Sequence, residues 1–170
     1  MLAAAIFLIF PLCLAMAAFS DLLTMTIPNR VSLILIAAFL IIAPLAGMPL
    51  PDIGIHLLAA MIVFLACFVL FALNVMGGGD AKLLSATAIW FGFNQSLLLF
   101  VVSVGLVGGL LTFLILLLRT QSNTILAVGL PVPNSLLLAK KVPYGIAIAI
   151  GGFMAFPSSP ILIAALETLK

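Results

Sequence analysis

Charged side chains are scarce in this chain. Of its 170 residues, 6% are Asp, Glu, Lys or Arg and 66% are hydrophobic, and the mean hydropathy is +1.53. A soluble domain is typically about a quarter charged. A chain with so little polar surface cannot cover a water-exposed globule, so we predict that lipid is its solvent. The few basic residues are scattered, and the net charge of +2 therefore indicates no nucleic-acid partner.

Histidine and cysteine are almost absent, which excludes several kinds of catalytic site. The two cysteines, Cys13 and Cys67, lie inside apolar runs and form no C-x-x-C pair, so neither a zinc site nor a redox pair is indicated. The single histidine, His56, is remote from the acidic residues of interest, and we interpret it as a helix-packing or interfacial residue. No phosphate-binding G-x-x-x-x-G-K-[ST] loop is present. We therefore predict neither a metal nor a cofactor.

Long apolar runs make up most of the chain. A helix of roughly 20 residues crosses the ~30 Å hydrocarbon core, and four of the runs fit one crossing each. The run 83–118 is too long for one span, so we predict a turn at Phe93-Asn94-Gln95. No Lys or Arg precedes the first run, and we interpret residues 2–19 as a retained span instead of a signal peptide. The prediction is an all-α polytopic membrane protein, one domain over residues 1–170, with about six helices. The runs are Leu2–Ser20, Val31–Pro51, Ile53–Gly79, Leu83–Leu118 and Val142–Leu166.

Basic residues orient these spans. With the N-terminus outside, five of the six Lys and Arg side chains fall on the cytoplasmic side, as the positive-inside rule requires. The loop between Arg119 and Val142 is the longest polar-leaning stretch, and its apolar segment 135–139 is expected to lie on the inner leaflet. The inner residues are Arg30, Lys82, Arg119, Lys140 and Lys141, and Lys170 is outside.

Two of the four acidic residues stand at the ends of apolar runs. Asp21 and Asp80 are separated by two predicted crossings, so both reach the cytoplasmic face. From Asp80 to Phe93 a helix would cover only about 21 Å, short of the hydrocarbon core. We therefore expect Asp80 to lie somewhat within the membrane, in a hydrated cleft.

A carboxylate pair can hydrolyse a peptide bond without a metal. Two adjacent carboxyl groups share one proton, so the ionised group can activate water while the protonated group donates to the scissile carbonyl. The glycines before Asp80 would let an extended substrate backbone approach closely. Taken singly, Asp21 and Asp80 could instead be ordinary acids at helix ends. Asp52 and Glu167 are interpreted as solvated.

Three segments carry a resemblance to a known family. The segment DLLTMTIPN from Asp21 to Asn29, the segment GGGDAKL from Gly77 to Leu83, and VPYGIAIA from Val142 to Ala149 occur in this order. They resemble the motifs of type IV prepilin leader peptidases, whose signature is G-x-G-D. The small size resembles the protease-only branch that serves tight-adherence (Flp-type) pili.

The resemblance implies an aspartic endopeptidase of the bacterial inner membrane. Such enzymes remove the short basic leader of a prepilin, after a Gly, at the cytoplasmic border of the substrate's helix. Asp21 and Asp80 would be the catalytic pair. The larger branch of the family also methylates its product and carries paired C-x-x-C motifs, which this chain lacks, so no methylation is expected. The supporting motif residues would be Gly77, Gly78, Gly79, Lys82, Pro28 and Asn29.

Two other function classes fit part of the pattern. A small ion-coupled transporter could use membrane carboxylates as proton sites, although no inverted repeat is visible and both acids lie toward one face. A non-enzymatic assembly protein of a pilus or secretion machine is the other alternative. Gly105, Gly108 and Gly109 are expected to allow close helix packing. Tyr144 is expected at the membrane interface, with a substrate contact as the alternative.

Overall fold

The fold is helical throughout the ranges that the structure, a computed structural model, describes, namely residues 2–120 and 142–167. The predicted all-α class is confirmed. The predicted inner-leaflet segment 135–139 lies outside the described residues. So do Lys140, Lys141 and Lys170. The elements are α1 (Leu2–Thr24), α2 (Asn29–Leu45), α3 (Leu50–Ala72), α4 (Gly78–Ala88), α5 (Gln95–Thr120), α6 (Tyr144–Ala155), a 3₁₀ turn (Phe156–Ser158) and α7 (Pro160–Glu167).

Four helical stretches are long and apolar enough to cross a bilayer. Helix α2 is shorter but also apolar. Large apolar side chains cover the outside of the bundle; Leu106, for example, is 71% exposed. This arrangement is that of a polytopic membrane protein, as predicted. The four stretches are Ala4–Thr24, Leu50–Ala72, Gln95–Thr120 and Tyr144–Glu167.

The long apolar run 83–118 breaks where the sequence predicts. Helix α4 ends at Ala88 and α5 begins at Gln95. The intervening turn passes through Gly92 with φ +66°, a left-handed conformation that glycine adopts without a steric cost. Asn94 then starts α5, because its Oδ1 accepts the backbone N–H of Ser96 at 2.8 Å.

Helix α4 lies inside the bundle. It packs against α2, α3 and α6, and from residue 81 to residue 92 every side chain except Lys82 is buried. Its 11 residues make a helix of only about 16 Å. Such a short helix cannot cross the hydrocarbon alone, so its neighbours shield its ends from lipid.

Buried rings join α4 to the helices around it. Phe10 of α1 stacks on Phe156 with ring centroids 4.7 Å apart and contacts Trp90 at 5.0 Å. Trp90 Nε1 donates a 3.1 Å hydrogen bond to the carbonyl of Leu35 in α2. This bond satisfies the indole N–H in the apolar interior.

His56 packs helix α3 against the end of α4. It is buried, stacks on Phe39 with centroids 5.1 Å apart, and its Nδ1 lies 2.6 Å from the carbonyl oxygen of Ile89. Because a carbonyl only accepts, Nδ1 carries the proton. The interpretation of His56 as a helix-packing residue is confirmed.

Two helix boundaries differ from the prediction. The last apolar run forms α6, a 3₁₀ turn and α7 instead of one helix, because Pro157 and Pro160 lack the N–H that a continuous helix requires. Asp52, which stands between two apolar runs and is therefore predicted to lie in a short outer loop, is instead in the first turn of α3 and is exposed as expected. Glu167 is also exposed.

Candidate active site

Asp21 lies in the last turn of α1 and is buried, with 5% of its surface exposed. Its Oδ2 accepts a 2.7 Å hydrogen bond from the backbone N–H of Gly145, in the first turn of α6. The C-terminus of a helix disfavours a carboxylate, whereas the N-terminus of another helix offers unpaired N–H groups and a favourable dipole. Helix α6 therefore supplies the stabilisation that α1 cannot give to Asp21.

Asp80 lies in the first turn of α4, a position at which a helix favours an acid. The backbone is extended at Gly77 (φ −72°, ψ 144°), and the helix begins at Gly78. Asp80 is half-buried and lies near Tyr144 of α6 and Cys67 of α3. Helices α3 and α6 therefore both approach this carboxylate.

One cleft of about 250 Å³ brings the two acids together. Asp21 and Asp80 both line it, although α2 and α3 separate them along the chain. Asp52 and Glu167 are not among its lining residues. The rest of its wall is formed by Met25, Thr26, Ile27, Asn29, Gly77, Gly78, Gly79 and Val142.

Ile27 sets the spacing between the segment that precedes Asp80 and the start of α6, which binds Asp21. A Cβ atom built on Gly79 would lie 3.3 Å from the Cβ of Ile27, and one built on Gly145 would lie 3.1 Å from its Cδ1. The side chain therefore packs against both the glycine segment before Asp80 and the start of α6. It is a spacer between the two walls of the cleft.

Each carboxylate occupies space that a glycine leaves empty. A Cβ on Gly77 would lie 2.7 Å from Asp80 Oδ2, and a Cβ on Gly145 would lie 2.9 Å from Asp21 Oδ2. Both separations are closer than real Cβ contacts. The sequence suggested that glycines serve the approach of a substrate backbone. In the structure, Gly77 and Gly145 also make room for the acids themselves.

The turn between α1 and α2 is held by its own hydroxyl groups. Ser20 Oγ donates to the carbonyl of Thr26 at 2.8 Å, and Thr24 Oγ1 donates to the carbonyl of Ser20 at 2.8 Å. Met25 adopts φ +52°, which reverses the chain directly after α1. Pro28, with φ −63° and ψ 131°, then precedes the first residue of α2. These bonds fix the position of Ile27 relative to Asp21.

A family comparison supplies the identity of this chain. The family described as the type IV leader peptidase family matches residues 8–114, which include Asp21, Asp80 and both motifs around them. The chain belongs to the type IV leader peptidase family. Membership indicates a protease with a general role as a prepilin leader peptidase. No curated protein and no solved structure matches the chain.

The remaining motif residues of this leader peptidase lie at or beside the cleft. Asn29 is on the wall, and its Oδ1 accepts a 3.0 Å hydrogen bond from Lys82 Nζ. Lys82 is exposed and, like Pro28, is not part of the wall. The bond joins the first turn of α2 to the second turn of α4, and so braces the two helices that begin beside the acids.

The structure adds residues that sequence reasoning did not place at the site. Gly145 binds Asp21, Ile27 separates the walls, and Tyr144 packs so tightly on α5 that a Cβ on Gly108 would overlap its hydroxyl. Ile27 and the Tyr144-Gly145 pair stand in the quoted motifs, which was the available signal. The close-packing prediction is confirmed for Gly108. For Gly105 and Gly109 it is wrong as far as the described residues go, because none of them lies within 4 Å of a Cβ built at either position.

Proposed function

We propose that this leader peptidase is an aspartic endopeptidase that removes the N-terminal leader of Flp-like type IV prepilins at the cytoplasmic border of the inner membrane. The observation that carries the proposal is the shared cleft. Two of only four acidic residues, Asp21 and Asp80, line it from distant parts of the chain. Buried acids in a membrane protein are costly, which favours a functional role.

The chemistry follows from two carboxyl groups that share one proton. The ionised group takes a proton from water, and the resulting hydroxide attacks the scissile carbonyl while the other group protonates its oxygen. The N–H of Gly145 holds Asp21 in place through Oδ2. The glycine segment 77–79 lines the cleft and admits an extended peptide backbone.

The depth of the cleft is consistent with cleavage at a membrane border. Tyr144, next to Gly145, packs against Gly108 of α5, and about 16 Å of helix separates Gly108 from Arg119 at the end of that helix. The cleft therefore lies recessed below the end of α5. Arg30, Lys82 and Arg119 are at the same end of the bundle, which supports a cytoplasmic cleft and an external N-terminus.

The decisive experiment uses all four acidic residues. The chain and an Flp-type prepilin are coexpressed, and loss of the leader is followed by the mass of the pilin. We expect Asp21→Asn and Asp80→Asn each to reduce the processing rate by about 10³-fold or more, because general acid–base groups contribute on this scale. Asp52→Asn and Glu167→Gln remove exposed acids and are the matched controls.

Two outcomes would contradict the proposal. Processing retained in either Asp21→Asn or Asp80→Asn would remove that acid from the mechanism. Proton flux through proteoliposomes, with no clipped product from any prepilin, would favour a transporter instead. The family match favours a peptidase over both the transporter and the non-enzymatic assembly protein.

A further inference from the structure

An apolar groove of about 530 Å³ lies beside the active-site cleft. Helices α2 and α3 form its sides and α4, which carries Asp80, forms its floor. Asn29 lines both the groove and the cleft, so the two are contiguous. A segment leaving the cleft past Asn29 would enter the groove.

Each of the three helices lines the groove with one of its faces. The lining residues recur at helical spacing within 29–36, 57–64 and 82–89, each of which covers about two turns or 10 Å. Three of the lining side chains, Ala60, Ser85 and Ala86, are small and so leave free space in the groove. Small residues at such positions let a further helix approach closely in a membrane, where packing drives association.

One hydroxyl in the groove has no partner among the described residues. Ser32 Oγ is buried, with 7% of the residue exposed, and makes no hydrogen bond. Among the described residues Ser159 Oγ shares this state, whereas Ser85 and Thr87 bond to the carbonyl one turn earlier, Ser85 to Ala81 at 2.7 Å and Thr87 to Leu83 at 2.8 Å. An unsatisfied polar group at membrane depth is costly. The oxygen has no exposed surface in this conformation, so the hydroxyl meets a groove occupant only by rotating about χ1.

We propose that this groove docks the apolar helix of the substrate, directly after the scissile bond. The inference rests on the proposed function, because it requires a substrate whose cleavage site adjoins a membrane helix. The continuity at Asn29 leads such a helix from the cleft into the groove.

Positive charge at one end of the groove determines which part of the substrate can enter it. Arg30 and Lys82 stand at the end of the groove nearest the cleft. They repel the basic leader that the family's substrates carry, so the leader leaves the cleft on another side. The uncharged segment after the scissile bond is the part that the groove accepts.

Photo-crosslinking tests the occupant directly. A photoreactive amino acid replaces Leu33 or Leu57 in the Asp80→Asn protein, which keeps the substrate uncleaved, and Leu106 on the lipid-facing side of α5 is the control position. We expect adducts with the prepilin helix from Leu33 and Leu57, and none from Leu106. Because Leu57 lies deeper, its adduct should map about one helical turn further from the scissile bond.

A kinetic comparison provides the second test. Ala60→Trp fills the groove, whereas Ala37→Trp adds the same bulk at an exposed position of α2 outside it. We expect Ala60→Trp to raise the KM for full-length prepilin about tenfold or more, with cleavage of a short peptide that lacks the helix unchanged. Ala37→Trp should leave both substrates unaffected.

The outcomes separate this inference from the proposed function. If the wild-type chain cleaves both substrates and Ala60→Trp has no selective effect, the groove does not dock the substrate, although the protease stands. Adducts with phospholipid alone from Leu33 and Leu57 would also overturn the inference. If Asp21→Asn and Asp80→Asn both retain cleavage, the proposed function itself fails.

Discussion

Asp21 of α1 is bound to Gly145 of α6 by a 2.7 Å hydrogen bond between residues 124 positions apart. The bond makes a candidate catalytic carboxylate part of the packing between the first and last helices. Helices α1 and α6 also pack extensively along their lengths. Structural and catalytic contributions of Asp21 must therefore be separated by the choice of variant.

Asp21→Asn and Asp21→Ala should differ in stability but not in activity. The Asn amide oxygen can still accept the Gly145 N–H, whereas Ala leaves this buried donor unpaired, at a cost of about 1–3 kcal/mol. We expect a lower melting temperature in detergent for Asp21→Ala than for Asp21→Asn, and no processing by either. Equal melting temperatures would show that the hydrogen bond does not stabilise the fold.

Gly145→Ala should impair processing through Asp21. The added Cβ would lie 2.9 Å from Asp21 Oδ2, so the carboxylate must move, and a displacement near 1 Å in an active site can cost about 10²-fold in rate. Gly109→Ala is the control, since no heavy atom of residues 2–120 or 142–167 lies within 4 Å of its added Cβ. Prepilin processing rates measured for the two variants check the prediction. Equal rates would contradict it.

Gly77→Ala should act on Asp80 in the same way. Its added Cβ would lie 2.7 Å from Asp80 Oδ2, closer than a packed interior allows. Gly54→Ala, in α3 with open space around the added Cβ, is the matched control. We expect a loss of about tenfold or more in processing rate for Gly77→Ala alone. An active Gly77→Ala protein would mean that Asp80 does not need its present position.

The bond between Lys82 and Asn29 should appear as an energetic coupling. Lys82→Met and Asn29→Ala each break the same 3.0 Å contact, so the double variant should lose little more activity than the more damaging single variant. Because the contact is exposed, we expect a coupling of no more than about 1 kcal/mol. A double-mutant cycle on processing rates measures it. Strictly additive effects would indicate that the two residues act independently.

Gly108→Ala should destabilise the packing of α5 on α6. The new Cβ would overlap the Tyr144 ring, and overpacking of this kind costs about 1–3 kcal/mol. Gly105→Ala, on the same helix in open space, should be neutral or slightly stabilising because Ala favours a helix. Thermal unfolding of both variants in one detergent provides the comparison. A wild-type melting temperature for Gly108→Ala would refute the tight packing of Tyr144.

Hydropathy and turn residues predicted most of the helical architecture. The break at Asn94 was predictable because amide side chains are poor neighbours for lipid and good helix caps. Hydropathy did not predict the break between α6 and α7, because an apolar scale does not register that Pro157 and Pro160 lack a backbone N–H. Small-residue spacing did not distinguish Gly108, which packs on Tyr144, from Gly105 and Gly109, which face open space.

The sequence by itself determined that this is a polytopic helical membrane protein, and that Asp21 and Asp80 end on one face. Both conclusions follow from local quantities, namely the length of apolar runs and the parity of crossings. Only the tertiary structure decided that both acids line one cleft, that Gly145 binds Asp21 and that Ile27 separates the walls. Such contacts depend on the rotation and depth of each packed helix, which side chains on neighbouring helices set jointly.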